Sequence, residues 1–358
     1  MLTLSSALAA SGYAVTAAMP LDDGNVDGDD FCRHGVAFVP LSCPSPTIVH
    51  RVLELSRLLK AEAPALVHAH GSRAALWAHW ALRWAGMSAA TALVVSVHGF
   101  AVPFYRQPRR LLQTRMMRRL GHGAAATIAC ANAERTALLA ARIAPRDKVH
   151  VVHYGIDLSA FTGLTAADRV RARESLGISP DTRLALIVCR LSAPRDFQSL
   201  LQGFRTVASA LPQSSLFIVG GGPLQSEIEA LLVELELEDR VMLWGFRRDV
   251  AQFYAAADVF VLTSSGWEGL PISVIEAQAA GIPVVVTDAG GSAEAIDPGS
   301  TGLLVPRRDP DALGAALHRI IGNEGEARAM GARGRRFAME HFDTPTMLGK
   351  IRDLYARL

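Results

Sequence analysis

Short apolar runs alternate with amphipathic stretches along most of this chain. In the second half the runs Leu184–Cys189, Leu216–Val219, Val241–Leu243, Val259–Thr263 and Val284–Thr287 are nearly uninterrupted, as strands covered on both faces require. Between them, Phe197–Leu211 and Leu224–Leu237 place apolar residues at helical spacing. This rhythm predicts an α/β architecture, a parallel sheet with helices on both faces. The first half repeats it less sharply, with strands expected near Ala14–Ala18, Ala37–Pro40, Leu66–Ala69, Leu93–Val97 and Thr127–Ala129. A polar run around Tyr154–Ala166 separates the halves. The expected organisation is a Rossmann-like domain over 1–158, a second over 166–337 and a helical segment over 338–358.

The front of the chain departs from that rhythm. Met1–Ser11 reads as a helix closed by Gly12, whereas a doubly wound domain normally opens with a strand and a glycine turn. The expectation is that such a strand and turn, roughly 15–30 residues, precede Met1.

Composition narrows the class. Half of the 358 residues are hydrophobic and mean hydropathy is +0.22, yet the most apolar stretch, Ala74–Val97, is broken by His79, Arg83 and Gly86. It lacks the roughly 18 consecutive apolar residues of a membrane span. With 36 basic and 34 acidic residues the charge is too balanced for a nucleic-acid binder. Only Lys60, Lys148 and Lys350 are lysines, so an anion site must rely on arginine and backbone N–H groups. Cys32, Cys43, Cys130 and Cys189 show no zinc or disulfide spacing. A cytoplasmic protein is expected, peripheral on the inner face of the cytoplasmic membrane if it meets lipid.

Ligands of open α/β sheets bind beyond the carboxyl ends of the strands, and here those ends carry unusual loops. Arg190 and Arg195 follow the first strand of the second half, and Gly220-Gly221-Gly222-Pro223 follows the next. Gly245-Phe246-Arg247, Ser264-Ser-Gly-Trp-Glu268-Gly269-Leu270-Pro271 and Asp288-Ala289-Gly290-Gly291 complete the set. Pro271 is expected at the first turn of a helix whose free N–H groups, with those of Gly269 and Leu270, can face an anion. Glu268 and Glu276 form a Glu-x7-Glu pair, suited to accept hydrogen bonds from vicinal sugar hydroxyls.

The run Glu268-Gly-Leu-Pro-Ile-Ser-Val-Ile-Glu276-Ala-Gln-Ala-Ala-Gly-Ile-Pro-Val-Val-Val-Thr resembles the signature of family 4 retaining glycosyltransferases. The Gly-x-Gly-Pro loop, Ala257-Asp258-Val-Phe-Val-Leu and Thr301-Gly-Leu-Leu-Val extend the resemblance along the chain. It implies the GT-B fold: two doubly wound Rossmann-like domains facing a cleft, with a C-terminal helix crossing back to the N-domain. It also implies roles. Glu276 would hold the nucleotide ribose, Glu268 the hydroxyls of the transferred sugar, and Arg190 and Arg195 the donor diphosphate. Arg195 stands where relatives usually have lysine. Phe246 would lie near the base, and Gly220, Gly222, Gly290 and Gly291 near phosphates or sugar. His98 matches the N-domain histidine that approaches the reacting sugar, and His70 would line the acceptor side.

The implied reaction moves a sugar from a nucleotide-sugar donor, such as a UDP- or GDP-sugar, to a glycan or lipid-linked hydroxyl with retention. It fits bacterial surface polysaccharide or glycolipid synthesis and requires no cofactor and no metal. Between Phe100 and Arg119 lie Phe104, Tyr105 and the arginines 106, 109, 110, 115, 118 and 119, with no carboxylate. Arg109, Arg110, Arg118 and Arg119 mark either a solvated helix face or an acceptor side in contact with a lipid-linked acceptor or an anionic membrane surface. Trp77, Trp80 and Trp84, at helical spacing, read as core or interface packing. Two other readings stand beside the transferase: a non-catalytic nucleotide-sugar binder, favoured by Ala131 where many relatives have Ser, and another GT-B enzyme such as an epimerase.

Overall fold

Side-chain alternation along the strand Ala92–Val97 sorts the first half of the chain into layers. Leu93, Val95 and Val97 enter one buried cluster and Val94 another, as the two-residue period of a strand demands. The strands here, in chain order, are β1 (Thr16–Pro20), β2 (Ala37–Leu41), β3 (Leu66–His70), β4 (Ala92–Val97), β5 (Ala126–Ala129) and β6 (Val149–Val151). β3, β4, β5 and β6 form a parallel sheet in that order. β1 and β2 pair in parallel as a separate two-stranded sheet.

The helices Ile48–Glu62, Ser72–Ala85 and Arg109–Gly123 bury Val52, Leu59, Ala75, Ala78, Leu82, Met117 and Leu120 against one face of the four-stranded sheet. The opposite face receives the two ends of the chain. Leu4 and Leu8 of the helix Leu2–Ala10 meet Met347, Ile351 and Leu354 of the helix Thr344–Tyr355 over Val94, Ala126 and Ile128. Spacings of four and three residues put each trio or pair on one helical face. The expected opening helix is present, and Gly12 after it adopts φ +89°.

Strands β7 (Arg183–Val188), β8 (Ser214–Val219), β9 (Val241–Gly245), β10 (Val259–Leu262), β11 (Val284–Thr287) and β12 (Gly302–Val305) build a second, six-stranded sheet. All its pairings are parallel. Leu184–Ile187, Val259–Val261 and Val284–Val286 are fully buried, which is why they read as unbroken apolar runs. Gly203 lets the helix Phe197–Ala210 lie directly on Pro310–Gly322, because a Cβ there would come within 2.7 Å of the Pro310 carbonyl oxygen.

This computed structural model describes residues 1–20, 28–42, 47–99 and 109–358. The chain divides into one unit of Met1–Ile156 with Thr344–Leu358 and another of Asp157–Asp343. The α/β class with parallel sheets matches the expectation from the sequence. Asp29 and Asp30 open the short helix Gly28–Arg33, and Asp22 and Asp23 lie outside the described residues. Two local expectations are refined. Pro271 occupies the N-cap of Ile272–Ala279 rather than its first turn. The tryptophan stripe is not core throughout: Trp84 is 66% exposed and Trp80 37%.

Candidate functional site

Read across the second sheet, the strands run β9-β8-β7-β10-β11-β12, so chain order reverses between β7 and β10. Loops leaving those two strands diverge to opposite sides, and such a switch point is where open parallel sheets bind ligands. Here the two loops are zipped together at their base. Arg195 and Ser264 form an antiparallel bridge, the Asp196 amide donates to the Thr263 carbonyl (3.2 Å), and Thr263 Oγ1 donates to the Asp196 carbonyl (2.8 Å). Asp196 also caps the helix Phe197–Ala210, its carboxylate accepting from the Ser199 amide at 3.0 Å and the Ser199 hydroxyl at 2.8 Å. The arginine just before it is thereby set at the mouth of the crevice.

The side chains converge there. Arg195 Nη1 donates to Ser264 Oγ (2.6 Å) and forms an ion pair with Glu268 Oε1, to which Ser264 Oγ donates in turn at 2.8 Å. Ser264 is held from behind, because its amide donates to Thr287 Oγ1 at the end of β11 (2.8 Å). Glu268 is only 9% exposed, so its charge depends on these partners. Beneath the cluster, burial pushes the Cys189 thiol up to about 11, with Arg195 opposing that shift.

Three glycines bring backbone to backbone around this cluster. Gly220 has φ +143°, and a Cβ on it would lie 1.8 Å from the Cys189 carbonyl oxygen. Gly290 has φ +62°, and its Cβ would lie 2.3 Å from the Glu268 carbonyl oxygen, which also accepts from the Gly291 amide at 3.0 Å. Gly222 approaches the Leu191 carbonyl in the same way. No side chain fits at these points, so neighbouring loops pack close enough to frame one concave edge.

Glu276 lies on the helix Ile272–Ala279, where Tyr254 Oη donates to its Oε2 at 2.8 Å. Tyr254 is 1% exposed and leans on Phe161 and Phe260. Burial raises the Glu276 carboxyl above its ordinary value, and the tyrosine hydrogen bond partly offsets this. Leu270 turns its side chain inward, at 3% exposure, which leaves Gly269 and the following turn to present backbone. Arg190 is exposed, and Phe246 stands out at 72% exposure beside Gly221.

The first unit carries a separate polar edge at the ends of β3 and β4. His70 Nδ1 and His98 Nε2 lie 3.0 Å apart with their rings stacked, and His98 Nδ1 meets Tyr154 Oη at 2.9 Å. Two residues inward along β3, His68 stacks on His70 and bonds Ser96 Oγ (2.7 Å) and Tyr355 Oη (2.5 Å). Desolvation among these rings lowers His68 to about 3, His70 to about 2 and His98 to about 4, although one edge of His98 reaches solvent. All three are neutral at physiological pH. Glu134, fully buried, accepts from the Gly99 and Cys130 amides (2.8 Å each) and so fixes the loop behind His98.

The structure thus brings Arg195 and Glu268 together and frames them with Gly220, Gly222, Gly290 and Gly291. Arg190 and Phe246 remain on the exposed rim. Arg109 and Arg110 open the helix Arg109–Gly123, and their side chains, like Phe104 and Tyr105, lie outside the described residues. Arg118 Nε donates to the Ala141 carbonyl (3.0 Å), and Arg119 lies over the Trp80 ring. The sequence places Ser264 on the fourth loop and Thr287 at a strand end but assigns no role to either, nor to Tyr254 and Tyr154. Thr287 closes β11 and Ser264 lies two residues past β10, positions worth testing for a polar side chain after an apolar run. The tyrosines carry no such mark.

A reversing parallel sheet with a polar crevice at its switch point, joined to a second parallel-sheet unit, is the architecture of GT-B glycosyltransferases. HepE from Anabaena, solved with UDP and glucose, superposes with a TM-score of 0.85 over all of this chain and 95% of its own, at 21% identity. WaaG, a glycosyltransferase of lipopolysaccharide biosynthesis, gives 0.77 over 99% and 94% at 17% identity. In sequence, "Glycosyltransferase Family 4" matches residues 1–160 and "Glycosyl transferases group 1" matches residues 168–337. The chain belongs to glycosyltransferase family 4. It is 26% identical to the Escherichia coli UDP-Gal:α-D-GlcNAc-diphosphoundecaprenol α-1,3-galactosyltransferase over 89% of this chain and 82% of that one. It is 33% identical to a GDP-mannose-dependent monoacylated phosphatidylinositol monomannoside mannosyltransferase of Corynebacterium glutamicum, over 51% and 49% respectively.

Proposed function

We propose that this glycosyltransferase transfers a hexosyl group from a nucleoside-diphosphate sugar to a hydroxyl of a lipid-linked acceptor, with retention of configuration. The observation that carries the reading is the Arg195–Ser264–Glu268 cluster at the β7/β10 switch point. It places a guanidinium and a carboxylate side by side, one for the leaving diphosphate and one for the hydroxyls of the sugar. As the glycosidic bond breaks, negative charge grows on the diphosphate. Arg195, the exposed Arg190 and the backbone N–H groups before Ile272 supply fixed positive charge there. The ion pair with Glu268 holds Arg195 in place before donor arrives, so little reorganisation is needed.

Glu276, fixed through one oxygen by Tyr254, keeps its other oxygen for the ribose hydroxyls. Neutral His98, oriented by Tyr154 and His70, is assigned to the transferred sugar as a hydrogen-bond donor or acceptor rather than a cation. No carboxylate in this arrangement is assigned as a covalent nucleophile, so the acceptor hydroxyl attacks from the face the diphosphate leaves. The printed substrates of the relatives, a diphosphoundecaprenol-linked sugar and acylated phosphatidylinositol mannosides, support a lipid-linked acceptor.

A thermal-shift and turnover panel of UDP- and GDP-sugars with polyprenyl-diphosphate-linked and phosphatidylinositol-linked acceptors tests the proposal. One donor should raise the melting temperature and be consumed only with acceptor. Stabilisation by none of them, or donor consumed with product that is an epimerised nucleotide sugar, would overturn it.

A further inference from the structure

Both ring nitrogens of His98 are engaged, Nδ1 with Tyr154 Oη at 2.9 Å and Nε2 with His70 Nδ1 at 3.0 Å. The two imidazole planes lie within 6° of parallel, so the N–H of one ring can follow the in-plane lone pair of the other. Among the described residues, the Nε2 of His70 has no such partner. His70 is the last residue of β3, at the strand end where open parallel sheets meet their ligands.

A neutral imidazole holds one N–H and one lone pair, so the direction of a single bond orders the whole row. Desolvation keeps His70 and His98 neutral, at about 2 and about 4. Burial likewise keeps the Tyr154 hydroxyl protonated, and its oxygen meets two side chains, the His98 ring and the Cys130 thiol. It has one hydrogen to donate, and an imidazole lone pair accepts it far better than a thiol sulfur. Tyr154 therefore donates to His98 Nδ1, and the thiol donates to the tyrosine oxygen. His98 then carries its proton on Nε2 and donates it to His70 Nδ1. His70 is left with its own proton on Nε2.

We propose that Tyr154 is a positioning residue, setting the proton order of the His98–His70 pair so that His70 presents its Nε2–H to the acceptor hydroxyl. That oxygen has two lone pairs and one hydrogen. One pair accepts from His70, and the other attacks the anomeric carbon as its bond to the diphosphate breaks. The hydroxyl hydrogen passes to a departing diphosphate oxygen. His70 does not take that proton, because His98 occupies its Nδ1 lone pair and its Nε2 is already protonated. In this arrangement His98 meets the transferred sugar by sharing its Nε2–H with His70. The proposal rests on the transferase reading for what His70 meets, whereas the proton order is measurable with neither donor nor acceptor.

Long-range ¹H–¹⁵N spectra of the full chain, ¹⁵N-labelled at its 11 histidines, test the proton order, with His70→Gln and His98→Gln assigning the two rings. At neutral pH both rings should show a protonated Nε2 and a bare Nδ1. Tyr154→Phe should move the His98 Nδ1 resonance toward that of a lone pair without a donor. His68, bonded to Ser96 and Tyr355, should keep its own resonances and so report an intact edge. In turnover, Tyr154→Phe should lower kcat/KM for the acceptor about tenfold, the scale of one hydrogen bond, with donor KM unchanged. His70→Ala should raise acceptor KM about tenfold, and His70→Gln, whose amide N–H reaches the place of Nε2, should recover most of that loss. A proton on Nδ1 of either ring, or a His98 Nδ1 resonance indifferent to Tyr154→Phe, would overturn the proton order. Equal acceptor KM in the His70 variants, or a rise in donor KM instead, would overturn the role of His70. If no acceptor supports turnover, the transferase reading fails and the spectra still decide the proton order.

Discussion

Arg195 and Glu268 face each other across the one point where the second sheet reverses its strand order, and Ser264 bonds both. Lysine in place of Arg195 keeps the charge but offers a point ammonium instead of a planar fork. Both contacts here come from the single Nη1, so the ammonium's three N–H groups could serve them, but from a shorter side chain that holds Glu268 and Ser264 less closely. Arg195→Lys should retain activity about tenfold below wild type, whereas Arg195→Ala should fall by about 10³ by loss of a leaving-group donor. Steady-state kinetics on the two variants separates charge from geometry. Equal loss in both would mean that charge is irrelevant at this position.

Backbone contact around the crevice predicts a second result. Gly220→Ala and Gly290→Ala each force a Cβ against a carbonyl oxygen at a φ that other residues rarely adopt. Each should cost about 1–3 kcal/mol of stability and abolish nucleotide-induced stabilisation. Gly322→Ala, with open space around the glycine, serves as the control and should be benign. Chemical denaturation with and without UDP and GDP reads both effects.

Tyr254 is predicted to act through Glu276. Removing its hydroxyl takes a hydrogen bond from a carboxylate that burial already pushes toward its protonated form. Tyr254→Phe should weaken donor binding about tenfold at neutral pH, with kcat less affected. The acid limb of donor KM should also move to higher pH, because the Glu276 carboxyl then rises further. A stability change with an unmoved pH profile would make Tyr254 merely structural.

The histidine edge ties stability to pH in a defined sense. His68 is held near 3 and His70 near 2, below the unfolded value of about 6.5. Between those values the unfolded chain binds protons that the folded chain refuses, so stability falls as pH falls from about 7 toward 4. Each such group contributes up to about 1.4 kcal/mol per pH unit. His68→Gln should flatten the slope of denaturation free energy against pH. An unchanged slope would place the acid sensitivity elsewhere.

Much of the second unit was legible in the sequence because burial on both faces leaves strands such as Leu184–Ile187 without polar interruption. The short β6, three residues within a polar stretch, carried no such pattern, and β1 and β2 were legible as strands but not as a sheet of their own. The two glutamates could be found because they lie in one contiguous run, and the glycines because each group follows an apolar strand run. The groups that hold them could not. Thr287 meets Ser264 across 23 positions and Tyr254 meets Glu276 across 22, so these pairings exist only once the strands are ordered. The tryptophan stripe left core and interface open for a related reason: helical spacing shows which residues share a face, not whether anything covers it.

Anomeric analysis of the product formed by wild type and Glu268→Gln tests the central claim most directly. Glu268→Gln keeps the shape of the side chain and leaves Arg195 free to hold diphosphate. The wild type should give a product with the anomeric configuration of the donor. The variant should lose at least about 10² in kcat, as expected when a charged contact to the reacting sugar is removed, while still binding the free nucleoside diphosphate. Turnover by Glu268→Gln equal to wild type, or an inverted product from the wild type, would contradict the account.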